Sequence, residues 1–321
     1  MCEWEAFVYR HPLGNVFQTP QMYKIYEQTS HCKPLVVAVV KNGRIKGLLM
    51  AVVQWNGNVV GKPFTARSII IGGPLAVNND KDILSQLIGA YRRLLPPYVV
   101  YSEIRPIFSM HEMEGSLVGN RFRRVGHYNI MLDIRPNKQR LYDNLHKERQ
   151  RNIRQAEKAE LRFAEVTREE DIRGITGLIR QTYKRKRVPM SNADMFVKAA
   201  GLMKEYIRFF VAYNKDGHMI AGQVRLCYKG LVYAWYAGSD NRYFKLRPND
   251  FLMWNVICWA HDNGYKSFDF GGGGEPGTPY GVRDYKLKYG GKIREYGRYQ
   301  YLHRPLTYYL GKQVMNRRKK D

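Results

Sequence analysis

At 321 residues and 44% hydrophobic content, the chain is long and apolar enough for two ordinary domains with their own cores, which excludes a disordered or fibrous protein. Its 53 Lys and Arg against 28 Asp and Glu leave a formal charge of +25 spread along the sequence, a field that attracts nucleic acid, anionic membrane or phosphate-bearing substrates. Cys2, Cys32, Cys227 and Cys258 have no CxxC spacing and no His cluster beside them, so neither a zinc site nor a disulfide framework is expected.

The N-terminal "MCEWEAFVYR" carries glutamates where a secretory signal needs basic and then apolar residues, and no apolar run approaches a membrane span, so a cytoplasmic location is expected. Next, "LVVAVVKNGRIKGLLMAVV" reads as strand, Asn-Gly turn, strand, followed by a strand in "ARSIIIGGP", a helix in "DILSQLIGAYRRL" and a strand in "YVVYSEIRP". The same order returns about 170 residues later: the Asp-Gly hairpin "RFFVAYNKDGHMIAGQVRLCY", the strand "LVYAWYAGS", the helix "DFLMWNVICWAHDN" and the strand "YKSFDFGGG". Two copies of one mixed α/β unit are the economical reading. The boundary is placed at "LDIRPNKQ", giving domains 1–134 and 135–321, with the segment from about residue 303 able to pack back on the first domain.

Pro136 is expected to open a helix that runs through "LHKERQRNIRQAEK". At roughly 100° per residue, Arg140, Lys147, Arg151, Arg154 and Lys158 form one basic ridge, and Leu141, Leu145, Ile153 and Ala156 form the opposite, apolar face. Arg149 and Asn152 fall on that apolar face, where a long polar side chain needs a partner or a cleft. Further on, "REEDIRGITGLIRQTYKRKRVPMSNADMFVKAAGLMKEY" reads as two helices broken at Pro189. The C-terminal "RPLTYYLGKQVMNRRKKD" combines Leu306, Tyr308, Tyr309, Leu310 and Val314 with Arg317, Arg318, Lys319 and Lys320. It reads either as a frayed basic terminus or as a peripheral contact with an anionic membrane, which would put the protein at the inner face of the membrane.

A hairpin feeding a helix and a final strand is the layout of the GNAT acetyltransferase unit, and a tandem pair resembles the FemABX aminoacyltransferases of bacteria. The stretch "VYAWYAGSDNRYFKLRPNDFLMWNVICWAHDNGYKSFDFGGGGE" is similar to the family's second-domain core, and "DYKLKYGGKIREYGRY" to its Phe-Lys-x-x-Phe-Gly-Gly segment. "FQTPQMYK" and "RQRNIRQAEK" fit as well, so the resemblance covers both halves. It lacks the long helical hairpin of the larger Fem proteins and so resembles the compact, FemX-like members. It departs from the bridge-forming enzyme at "VPMSNADMF", where an arginine on substrate phosphate would fall and no basic residue stands.

The resemblance implies an α/β protein of two tandem GNAT-like domains, each a mixed, largely antiparallel sheet flanked by helices. It implies transfer of an activated acyl group, from aminoacyl-tRNA or an acyl-CoA thioester as co-substrate, to an amine on a phosphate-bearing cell-envelope precursor. That precursor is a peptidoglycan peptide or a nucleotide- or lipid-linked amino sugar. No resident cofactor and no metal are expected, and the chain is expected to be a monomer. Lys286 would stabilise the oxyanion, with Lys288 as rival because both project from one face of an expected strand, and with Tyr285 and Tyr289 as anchors. The alternative for either lysine is an ordinary surface position. Asp269 would take a proton from the attacking amine or orient the acceptor, or simply accept hydrogen bonds from the glycine loop; Gly271 and Gly272 would allow close approach of a ligand. Lys24 matches a phosphate-contacting lysine and, with Arg149, Arg151 and Arg154, would line a diphosphate or tRNA groove, Arg149 facing the ligand. The segment "NRYFKLRPN" has no glycine where the acyl-CoA pyrophosphate loop of GNAT proteins would stand. The competing class is a non-catalytic nucleic-acid- or membrane-binding protein on a GNAT-like scaffold.

Overall fold

The computed structural model of the chain describes residues 2–56, 61–187 and 194–317, with side chains to residue 313. Its contacts divide into two units, Met1–Gly126 with Tyr296–Asp321, and His127–Glu295.

The first unit opens with helices α1 (Glu3–Arg10) and α2 (Pro20–Glu27), the second started by Thr19, whose hydroxyl accepts from the Met22 amide, and by Pro20 at the first helical position. Strands β1 (Cys32–Lys41) and β2 (Arg44–Gln54) form the expected hairpin. It reverses at Asn42 and Gly43, both at positive φ (52° and 70°), a conformation that Asn and Gly accept at little cost. Then come α3 (Lys62–Thr65), β3 (Arg67–Ile71), β4 (Leu75–Ala76), α4 (Lys81–Leu94), β5 (Tyr101–Arg105), α5 (His111–Gly119) and β6 (Arg123–Val125).

The second unit contains β7 (Tyr128–Asp133), α6 (Lys138–Asp143), α7 (Lys147–Lys158), β8 (Arg162–Val166), α8 (Glu169–Arg185), α9 (Met195–Leu202) and β9 (Ile207–Tyr213). It continues through β10 (Met219–Tyr228), β11 (Leu231–Ser239), α10 (Pro248–Asp262), β12 (Ser267–Gly274), α11 (Gly281–Leu287) and β13 (Lys292–Arg294). The strand order is β13-β7-β12-β11-β10-β9-β8, antiparallel except for the β11–β12 pair that α10 connects. The core lies between this sheet and helices α7 and α10, where Ile153, Ala156, Val256 and Ile257 meet Phe210, Val232 and Phe268. The chain then returns to the first unit as β14 (Arg298–Leu302), paired with β5 and β6, and α12 (Pro305–Arg317).

Three sequence expectations change. The strand over residues 128–133, assigned to the first half, pairs with β12 and β13, so the first unit ends at Gly126 and is rejoined at Tyr296. The helix expected from Pro136 onward is two helices: Asn137 caps α6, His146 caps α7, and the His146 backbone N–H between them is bonded to the Lys288 carbonyl (2.9 Å). Arg140 therefore leaves the ridge of α7. Finally, the segment carrying Tyr285 and Lys286 is the helix α11, not a strand. Pro189 and most of "VPMSNADMF" lie outside the described residues.

Helix α8 crosses the sheet at two glycines. A Cβ on Gly238 would stand 2.4 Å from the Ile179 backbone, and one on Gly222 2.9 Å from the Ile175 side chain. Backbone cannot yield as a side chain can, so Gly238→Ala is expected to cost about 1–3 kcal/mol in urea unfolding and Gly222→Ala distinctly less. Equal costs would mean that α8 slides as a body.

Candidate active site

Strands β11 and β12 pair through Leu231↔Ser267, Val232↔Phe268 and Tyr233↔Asp269, and the ladder stops there although both strands continue. Beyond it lies a cleft of about 730 Å³, with Trp235, Tyr236, Phe244 and Phe270 among its apolar walls and Arg225 and Lys286 among its polar groups. Phe244, Tyr280 and Val282 at its margin are large apolar side chains left exposed. A concave apolar cleft with few convergent charges is the ordinary form of a small-molecule site.

Lys286 enters this cleft from α11, and its Nζ donates to the Gly272 carbonyl at 2.6 Å. Burial pulls its ammonium down to about 8, opposed by the nearby Asp269 carboxylate and reinforced by the Arg225 charge. Asp269 is fully buried on β12 and is pushed up to about 6 by that burial, partly offset by the Gly271 amide and Lys286. Its Oδ1 accepts from Gly271 N–H at 2.6 Å, while Oδ2 has no hydrogen-bond partner. The carboxylate is not among the groups lining the cleft; it sits behind the turn at Gly271, where φ is +77°. Gly271 and Gly272 thus hold protein groups: one donates to Asp269, the other accepts from Lys286.

Helical geometry separates the rival lysines. A step of two residues on a helix turns the side chain by about 200°, whereas on a strand it would restore the same face. Lys288, just past α11, pairs with Glu148 Oε2 at 2.5 Å and does not line the cleft.

What holds α11 is a buried polar knot. Asp250, in the first turn of α10, accepts from Arg149 Nη1, from Asn152 Nδ2 at 2.8 Å and from Tyr289 OH at 2.5 Å. Tyr285 and Tyr289 meet edge-on with ring centres 5.2 Å apart and hydroxyls 3.0 Å apart, and the Arg149 guanidinium lies 5.1 Å over the Tyr285 ring. Burial opposes the Arg149 charge, but Asp250 more than offsets it and leaves the guanidinium more basic than usual. The sequence required a partner for Arg149 and Asn152; the partner is Asp250, and Arg149 is buried in this knot and is not among the residues lining the cleft.

Arg151 and Arg154 are exposed on α7 beside Lys147 and Lys158, so the ridge expected on that helix exists as a solvent-facing surface. Lys24 is exposed on α2 of the first unit. Three groups escaped the sequence reading. Asp250 carried a faint signal as an acid two residues past Pro248. Arg225 carried a clearer one, as the single cation inside "MIAGQVRLCY". Trp235 and Tyr236, which sequence alone does not set apart from core aromatics, line the cleft.

Residues 144–287, which contain the cleft, α7, α10 and α11, match the family model for the acetyltransferase (GNAT) domain. The second unit has the fold of a GNAT domain. No curated protein matches the chain by sequence. Among solved structures, FemX is similar over 96% of this chain and 97% of its own, with a TM-score of 0.73 at 15% identity. L-PGS from Bacillus licheniformis aligns over 98% and 96% with a TM-score of 0.60 at 12% identity. A tandem GNAT protein from the clavulanic acid biosynthesis pathway aligns over 85% and 84% with a TM-score of 0.54 at 9% identity. The chain therefore has a FemABX-like tandem GNAT fold, with Lys286 reaching from α11 to the cleft beside the splayed parallel pair of the second unit. Among the described residues no helix is long and apolar enough to cross a membrane, and no group of His, Cys, Asp and Glu could hold a metal ion.

Proposed function

We propose that the protein transfers an activated aminoacyl group from aminoacyl-tRNA to an amine of a phosphate-bearing cell-envelope precursor, with no resident cofactor. The observation that carries this reading is the Lys286 ammonium, fixed by the Gly272 carbonyl in the cleft of the GNAT unit. A neutral amine attacks the acyl carbonyl, the C–N bond forms, and negative charge gathers on the carbonyl oxygen before the ester C–O bond breaks; the surplus proton on nitrogen passes to the departing ribose oxygen, and the tRNA leaves with a free hydroxyl. A fixed, largely buried cation lowers the energy of that oxyanion. Asp269 stands behind the glycine turn as a positioning residue: its carboxylate holds the Gly271 amide, and with it the neighbouring Gly272 carbonyl that fixes Lys286. Activity is therefore expected to fall below pH about 6 as Asp269 is protonated and above pH about 8 as Lys286 loses its proton, a bell whose limbs a pH profile of kcat/KM would read.

Two features favour tRNA over CoA as donor. The exposed α7 ridge of Lys147, Arg151, Arg154 and Lys158 suits a polyanion. The start of α10 is poorly suited to a pyrophosphate: Pro248 has no N–H to offer, and the Asp250 and Phe251 amides are already bonded to the Arg247 carbonyl. The deciding experiment compares binding and transfer with charged tRNA, uncharged tRNA and acetyl-CoA at two salt concentrations. Preference for charged tRNA at the higher salt supports the reading, and saturable CoA binding with transfer overturns the donor. Charge-blind, salt-sensitive tRNA binding without transfer would instead favour a non-catalytic binding protein. Arg151→Glu with Arg154→Glu is expected to weaken tRNA binding uniformly and flatten its salt dependence by about one unit of slope per lost contact.

A further inference from the structure

Arg225 is among the largest fully buried side chains of the protein, 1% exposed in the middle of β10, and it belongs to the floor of the cleft. Its acceptors are all uncharged. Nη1 donates to the Val224 and Tyr236 carbonyls at 3.2 and 3.4 Å, Nη2 donates to Gln223 Oε1 and meets Met253 Sδ at 3.8 Å, and Nε is buried with no hydrogen-bond partner. The guanidinium also lies 5.5 Å over the Phe268 ring. Among the described residues no carboxylate is paired with it. By contrast, the buried Arg149 has Asp250 and the buried Asp269 has Lys286 as an opposite charge at hand.

A guanidinium removed from water and left without an anion is costly, because neutral acceptors satisfy its N–H groups without cancelling its charge. Arginine is the cation that binds a planar oxyanion through two N–H groups, and the edge formed by Nε and Nη2 is held here only by an amide oxygen and a weak thioether contact. The same cleft carries a second cation, Lys286, and Arg185 and Lys186 stand among its lining residues. We infer that Arg225 is the seat for an anionic oxygen group of the substrate, a carboxylate or a phosphate, which enters the cleft beside Lys286, displaces Met253 Sδ and takes up the Nε–H. The enzyme then selects acceptors that carry a negative group within one cleft's length of the reacting amine. This inference rests on the reading of the cleft as the substrate site.

The test uses acetate and inorganic phosphate as probes, titrated against the full chain in thermal-shift and calorimetric experiments at constant ionic strength. Wild type is expected to bind one of them saturably, acetate marking a carboxylate and phosphate marking a phosphoryl group. In Gln223→Glu a carboxylate replaces the amide oxygen that already touches Nη2, neutralising Arg225 in place with almost no change of shape. That variant is expected to melt at a higher temperature than wild type and to lose at least about tenfold in anion affinity. Arg225→Met is expected to lose the same response, and Gln223→Glu carries the test if that variant does not fold. Lys286→Met is expected to keep it. Equal anion affinity in wild type and Gln223→Glu overturns the proposal. Anion binding sensitive to Gln223→Glu without acyl transfer from any donor would remove the transferase reading and leave the anion seat standing. Transfer without such binding removes the seat alone.

Discussion

Replacing Asp250 by Ala is expected to be the most damaging single change in the second unit, costing about 3–5 kcal/mol in urea unfolding. The residue is 6% exposed and accepts from three side chains on two other elements, Arg149 and Asn152 of α7 and Tyr289 beyond α11. Its loss leaves the Arg149 guanidinium buried with only Glu148, a partly exposed partner, to balance it. Removing one half of a buried pair costs far more than removing both, because the remaining charge has no water to replace its partner. Arg149→Met together with Asp250→Leu is therefore expected to recover most of the loss, a coupling that a double-mutant cycle measures directly. Purely additive effects would mean that the pair contributes nothing jointly. The change should also reach the proposed active site, since Tyr289 anchors the end of the helix that carries Lys286. A low kcat in Asp250→Asn, which keeps an acceptor oxygen but not the charge, would report that link at a smaller cost in stability.

How far the sequence spoke for this architecture depends on whether a feature is periodic or convergent. Both hairpins, α4, α10, and strands β5 and β12 were legible because each declares itself within a short window: alternation for strands, turn residues such as Asn42-Gly43, and an apolar face for helices. The apolar side of α7 was legible for the same reason, and Leu141, Leu145, Ile153 and Ala156 are all buried. Arg149 shows where such reading stops. Its position on an inward face demanded a partner, yet the partner lies 101 residues away on α10, a distance along the chain that no local pattern spans. The break between α6 and α7 was hidden likewise, because it is fixed by a bond from His146 N–H to the Lys288 carbonyl on a remote segment. Tyr285 and Tyr289 suit a strand or a helix equally by composition. Only their contact at i and i+4 beside Arg149 makes the helical choice, and with it the separation of Lys286 from Lys288. Boundaries failed for a related reason: the strand over residues 128–133 finds its partners in β12 and β13, more than a hundred residues on.

Lys286→Met is expected to lower kcat by about 10²–10³-fold with little change in KM, because a cation that meets only the developing oxyanion contributes to the transition state and not to substrate binding. Stability should move the other way. The folded protein holds the Lys286 ammonium near 8, below the ordinary lysine value of 10.5, so the unfolded chain binds that proton more tightly. The stability tied to this group is present above pH about 10.5 and is lost as pH falls through about 8, which means that at neutral pH the charged lysine is a burden on the fold. Methionine removes the burden while filling similar space, and Asp269, deprived of its neighbouring cation, can take up a proton in place of the lost charge pair. A variant that melts at a higher temperature and no longer turns over is the pattern of a residue kept for chemistry at the expense of stability. Lys286→Arg supplies the complementary result. Its guanidinium stays charged throughout the accessible range, so whatever activity it retains should lack the alkaline limb near pH 8, while the acidic limb near pH 6 from Asp269 persists. An alkaline limb that survives in Lys286→Arg would place the titrating group elsewhere, and wild-type turnover in Lys286→Met would remove the lysine from the mechanism altogether.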